Sequence, residues 1–178
     1  MDKAEALQLL LFARGSTLKD NESIPNKIHL QKEMFLLQKE TSFLERPLFE
    51  FVPHYYGPYS RELEEEAVSL VIAGKVNDSD GYFLTPNGFR EAYKLWKGLT
   101  PAKLRALVRI KEDYNNKPTR ELLDYVYKKY KKYTTKSALM LSNILGNFYK
   151  FAVENDITEE YIVKAFDRVR HQGNEDSN

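Results

Sequence analysis

The sequence predicts a mostly α-helical chain with a small β-hairpin, and three observations predict it. Apolar residues recur at helical spacing along most of the chain. Thr85-Pro86 and Thr100-Pro101 each set a capping hydroxyl before a proline at the first helical position, where its missing N–H costs nothing. Strand-like stretches are short: Phe49–Val52, and Lys75–Asn77 joined to Tyr82–Thr85 through Asp78-Ser79-Asp80-Gly81.

Residues 2–14 place Ala4, Leu7, Leu10 and Leu11 on a first helix that Gly15-Ser16 ends, and residues 16–26 read as a polar loop. The second helix, about Lys27 to Glu40, gathers Ile28, Leu30, Met34, Phe35 and Leu37 on one half of its wheel. His29, Lys32, Glu33, Lys39 and Glu40 share the other half, so His29 is expected to face water. Leu36 falls among the charges, as a solitary exposed leucine or an anchor for a partner.

The stretch Phe49–Ser60 reads as a strand closed by Pro53, a Gly57-Pro58 corner, and Ser60 as the cap of a third helix over Arg61–Ala73. Tyr55, Tyr56 and Tyr59 crowd that bend, as packing groups or as an aromatic ligand cluster. Leu63, Ala67, Leu70 and Val71 line the inner face of the third helix, and Glu62, Glu65 and Glu66 the outer one. Gly74 stops it. The hairpin follows as a wing, so the order of elements is that of a winged helix over residues 1–98.

Residues 99–170 read as a helical region. The fourth helix buries Phe89, Ala92, Tyr93 and Trp96; the fifth carries Leu104, Leu107, Val108, Ile110 and Tyr114. The sixth, from Thr119, buries Leu122, Leu123, Val126, Tyr127 and Tyr130, with Lys128, Lys129, Lys131 and Lys132 opposite. From Lys117 to Lys136 there are seven basic and two acidic residues. A seventh helix, about Lys136–Val153, has a wide apolar arc, and an eighth follows the Asp156/Glu159 capping box. Packing back on the first domain or a homodimer interface would each cover that arc. Residues 171–178 read as a disordered tail.

With 178 residues, 42% of them hydrophobic and 13% aromatic, the chain can bury a core. It has no cysteine, which excludes disulfides, thiol nucleophiles and zinc–cysteine sites. No apolar run reaches the roughly 20 residues of a membrane span. The amino-terminal stretch reads as a helix instead of a signal peptide, so a cytoplasmic protein is expected.

His29, His54 and His171 are far apart and share no metal-ligand spacing, and the eight glycines form no phosphate cradle. His54 reads as a structural or contact residue of the bend. No cofactor is expected. The third helix would be the reader of a DNA duplex, yet Glu62, Glu65 and Glu66 coat it, and affinity for duplexes comes largely from neutralising phosphate. With a net charge of +1, positive charge can gather only locally, on the lysine face.

Leu30-Gln31-Lys32, then Tyr56-Gly57-Pro58-Tyr59-Ser60, then Leu84-Thr85 with Gly88, follow in the order seen in one prokaryotic group. The chain resembles the Panacea (SocA-like) antitoxin domain and related uncharacterised winged-helix proteins over roughly residues 25–137, including the spaced tyrosines before Thr134-Thr135-Lys136-Ser137. The resemblance implies a non-enzymatic regulatory module that binds a protein partner, a toxin in some members, and it supplies no catalytic residues. A winged-helix transcriptional regulator binding DNA through the lysine face is the alternative reading.

Overall fold

The computed structural model describes residues 1–134. Six helices and two antiparallel hairpins follow in the order α1 (Lys3–Phe12), α2 (Lys27–Glu40), β1 (Val52–His54), β2 (Gly57–Tyr59), α3 (Arg61–Ile72), β3 (Val76–Asn77), β4 (Phe83–Leu84), α4 (Pro86–Lys97), α5 (Pro101–Tyr114) and α6 (Thr119–Lys129). A 3-10 turn at Lys131–Tyr133 closes the described chain. One compact unit runs from Met1 to Ser137, past residue 98 where the sequence suggests a boundary, so α5 and α6 share the core of α1–α4. The expected seventh and eighth helices, the tail and the dimer surface assigned to them lie outside the described residues.

Local chemistry places most helix ends. Asp2 and Glu5 form a reciprocal capping box on α1. Ser60, Thr85 and Thr100 cap α3, α4 and α5 through their hydroxyls, and the prolines after the two threonines sit in the first turn. Gly74 ends α3 with φ of 65°. Helix α6 stops at Lys129, and Tyr133 still reaches the core because the 3-10 turn redirects it.

Two aromatic nodes organise the interior. Phe12 packs between Phe89 and Trp96 at ring distances of 4.9 and 5.2 Å, joining α1 to α4. Phe35 meets Phe51, Tyr130 and Tyr133 edge-on at 5.2, 4.9 and 5.0 Å, joining α2 to the hairpin and the α6 end. Tyr93, expected inside, is exposed at the edge of the first node.

The second helix departs from its wheel. Every residue of α2 from His29 to Leu37 is buried. It packs against α5, α6 and β2, so a polar half has no solvent to face. His29 is 2% exposed and its Nε2 lies 2.9 Å from the Lys117 carbonyl. Leu36 is wholly buried and cannot anchor a partner. Lys32 and Glu33 are buried as well.

Glu33 has Lys111 of α5 as its near cation. Burial pushes the Glu33 carboxyl up to about 8 despite Lys111, and the nearby Glu22 carboxylate adds to the rise. Lys111 is pushed down to about 8 by the same burial. Its ammonium donates to the Glu22 carbonyl, and Asn115 Nδ2 donates to Glu22 Oε1 and the Ser23 carbonyl, fixing the loop before α2 onto α5.

The bend at residues 49–60 is a hairpin instead of a strand and corner. Val52 pairs with Tyr59, Pro53 with Pro58, and His54 with Gly57. Two facing prolines give the ladder no N–H at that rung, which suits an isolated two-stranded edge. Gly57 has φ of 81°, a left-handed value that glycine adopts at no steric cost.

Candidate functional site

The segments Leu30-Gln31-Lys32 and Tyr56–Ser60, separate in sequence, meet in space. Gln31 Oε1 accepts the Ser60 N–H at 2.8 Å, and its Nε2 donates to the Ser60 carbonyl at 2.9 Å. Lys32 Nζ donates to the Pro58 carbonyl at 2.8 Å. Adjacent residues of α2 thus hold both ends of the segment leading into α3. Side-chain amides do the same elsewhere. Gln38 accepts from Leu48 and Phe49 and donates to the Phe49 carbonyl, while Asn21 brackets the backbone of Leu84 at 2.7 and 2.9 Å. Short strands leave backbone groups unpaired, and these amides supply the partners.

Between α2 and the β1–β2 hairpin lies a cavity of ≈ 430 Å³. Helix α2 lines it with Lys27, Ile28, Gln31 and Lys32; the hairpin lines it with His54, Tyr56, Gly57 and Tyr59. Five of the residues that the sequence singles out at the bend therefore belong to one place: four in the wall and Pro58 holding Lys32, with Ser60 just beyond. A Cβ on Gly57 would stand 2.9 Å from the Tyr127 ring and 3.8 Å from Lys32 Cε, so the glycine lets helix α6 and the lysine end close on the strand.

Charge in this cavity is uneven. Lys27 pairs with Glu64 of α3, and Tyr59 donates its hydroxyl to the same carboxylate. Lys27 and Tyr59 together hold Glu64 below the ordinary glutamate value. The hydrogen bond to Glu64 raises Tyr59 to about 12. Lys32 is 2% exposed, and burial alone drives its ammonium down to about 7. Among the described residues no carboxylate offsets it; the Pro58 carbonyl is its hydrogen-bond acceptor.

The outer face of α3 is a stripe of Arg61, Glu65, Val68 and Ile72, one above another at helical spacing and all exposed. Arg61 pairs with Glu65 at 2.8 Å. Glu62 is tied within the chain, to Lys3 at 2.9 Å and the Glu50 N–H at 3.1 Å. Glu66 is half-buried. Two of the three expected carboxylates are thus engaged within the chain. The stripe adds what the sequence reading missed: Val68 is 52% exposed and Ile72 82%.

The lysine face is also divided. Lys128, Lys131 and Lys132 are exposed, and Lys132 stacks over Tyr133 at 5.0 Å. Lys129 instead bonds Glu40 Oε1 at 2.9 Å and the Tyr125 hydroxyl at 2.8 Å. Glu40, at the end of α2, also accepts from Tyr114, Tyr125 and Tyr130 at 3.1, 2.8 and 2.9 Å. Burial works to raise this carboxyl, but the hydrogen bonds from Lys129, Tyr125, Tyr130 and Tyr114 keep it below the ordinary value. Lys129 is therefore a structural cation rather than part of a free basic surface.

Among the described residues no three His, Asp or Glu side chains come together to hold a metal ion. None of the described helices is long and apolar enough to cross a membrane. In comparison with known proteins, the chain matches no family model, no curated protein and no solved structure.

Proposed function

We propose that the chain is a non-enzymatic regulatory module that grips a protein partner through the outer stripe of α3, in the antitoxin-like manner its resemblance implies. The observation that carries this reading is Val68 and Ile72 exposed one turn apart beside Glu65. The order α2, α3, β3–β4 is compatible with the winged-helix reading, in which the second helix would enter a duplex groove. A groove-reading helix needs cations toward phosphate; this one offers two apolar side chains beside a cation, Arg61, already paired with Glu65. Such a surface suits a polypeptide with apolar side chains flanked by basic ones, of which a cognate toxin is one kind.

The experiment compares three forms of the full chain: wild type, Val68→Asp/Ile72→Asp, and Lys128→Gln/Lys131→Gln/Lys132→Gln. Each is used for capture from the native host and for gel shifts on mixed duplexes at low and moderate salt. The expected result is one co-purifying protein, kept by the lysine variant and lost by the stripe variant with its circular dichroism unchanged. Saturable duplex binding that the lysine variant alone loses would favour the DNA-binding regulator instead.

A further inference from the structure

The cavity under the β1–β2 hairpin contains a lysine that no carboxylate among the described residues pairs with. Of its two lysines, Lys27 is neutralised by Glu64. Lys32 is not: it is buried, its hydrogen-bond acceptor among the described residues is the Pro58 carbonyl, and an ammonium can donate three bonds. Burying a cation without a counter-ion is costly, and a structural staple to one carbonyl would be served as well by a neutral donor. The lysine also lines a cavity of ≈ 430 Å³, within the range of small-ligand sites. The rings of His54, Tyr56 and Tyr59 wall the same space, and α2 begins there with the positive end of its dipole.

We infer that this cavity is a binding site for a monoanionic carboxylate on a flat apolar body, with Lys32 as the counter-ion and the hairpin aromatics as the walls. One unmatched cation calls for one negative charge; a dianionic phosphate would need a second, and Lys27 is already taken. Ile28 and the tyrosine rings accept the apolar portion, while Lys32 selects the carboxylate end. The same chemistry is offered by a free aromatic acid and by the C-terminal carboxylate of a polypeptide ending in an aromatic residue. The site is independent of the α3 stripe and stands whether or not that stripe binds a partner.

The test uses the full chain and four probes: 3-phenylpropionate, its primary amide, a pentapeptide ending in a free phenylalanine carboxylate, and the same peptide amidated. Binding is read by calorimetry, and by shifts of the Gln31, Gly57 and Tyr59 amide signals in ¹H–¹⁵N spectra. At least one free carboxylate is expected to bind and to move those signals, with its amide weaker by about tenfold or more, the worth of one charge-assisted hydrogen bond. Lys32→Met is expected to erase that preference. A tighter peptide acid identifies a chain end as the source, and a tighter phenylpropionate a free acid. Amides binding as well as acids, or no shift at those three signals in the wild type at millimolar probe, overturns the inference. The wild-type spectra decide the matter even if Lys32→Met does not fold.

Discussion

The side-chain amide of Gln31 clasps the backbone of Ser60 at two points, 2.8 Å to its N–H and 2.9 Å to its carbonyl. Both partners are buried, so no solvent replaces a lost bond. Gln31→Ala leaves two buried backbone groups unpaired and is expected to destabilise the chain by about 2–4 kcal/mol. Denaturant unfolding should show a lower midpoint with an unchanged slope. A midpoint equal to wild type would mean that the clasp contributes nothing net.

Glu40 is the shared acceptor of three tyrosines and Lys129, with its side chain 5% exposed. Its folded value is lowered, so its contribution is present above the ordinary 4.5 and is lost as pH falls through the folded value. Glu40→Gln keeps the shape and removes the charge. The wild type is expected to exceed it by about 2–3 kcal/mol near neutral pH, and the gap should narrow as the solution is acidified below 4.5. Chemical denaturation of both forms over that range checks this.

Glu33 acts with the opposite sign. Its folded value, about 8, lies above the ordinary 4.5, so the folded chain holds a proton that the unfolded chain releases. Stability should therefore fall as pH rises from 4.5 toward 8. Glu33→Gln is expected to flatten that slope, by up to about 2–3 kcal/mol across two pH units. Lys111, coupled to Glu33 and pushed down to about 8, contributes in the other direction at higher pH, so the comparison belongs below that value. Parallel curves for the two proteins would show that Glu33 is not buried neutral.

Gly88 stands where a Cβ would meet the Lys75 carbonyl at 2.1 Å, and backbone cannot step aside as a flexible side chain can. Gly88→Ala should cost about 2 kcal/mol or more through overpacking. Gly74→Ala, with φ of 65° but open space around it, should cost about 1 kcal/mol. Thermal melts of the pair should keep that order.

The readability of the sequence followed its local chemistry. Ser60, Thr85, Thr100 and Gly74 announce helix ends through groups that act within one turn, and the structure puts those ends there. The wheel fails on α2 because it assumes one wet face, and α5, α6 and β2 leave residues 29–37 none. Lys32, Leu36 and His29 moved inside for that reason. The hairpin at 52–59 was half visible: Gly57-Pro58 signals a turn, but pairing across Pro53 and Pro58 depends on which strand lies opposite. The bend residues did prove to share a cavity, whereas its cation came from a helix far away in sequence. The Glu40 cluster draws its donors from Tyr114 to Tyr130, a convergence that periodicity does not encode. Exposed Val68 and Ile72 go unread in the sequence, although the signal is there in spacing: both fall outside the stripe of Leu63, Ala67 and Leu70.

Because Gln31 and Lys32 are neighbours, and their partners Ser60 and Pro58 are two residues apart, buried hydrogen bonds join α2 directly to the entry of α3. Ser60 is also the cap of α3. An axial slide or roll of α2 that keeps these bonds carries the first turn of α3 with it. Any signal that shifts one of them is thereby delivered to the other without an intervening loop to absorb it.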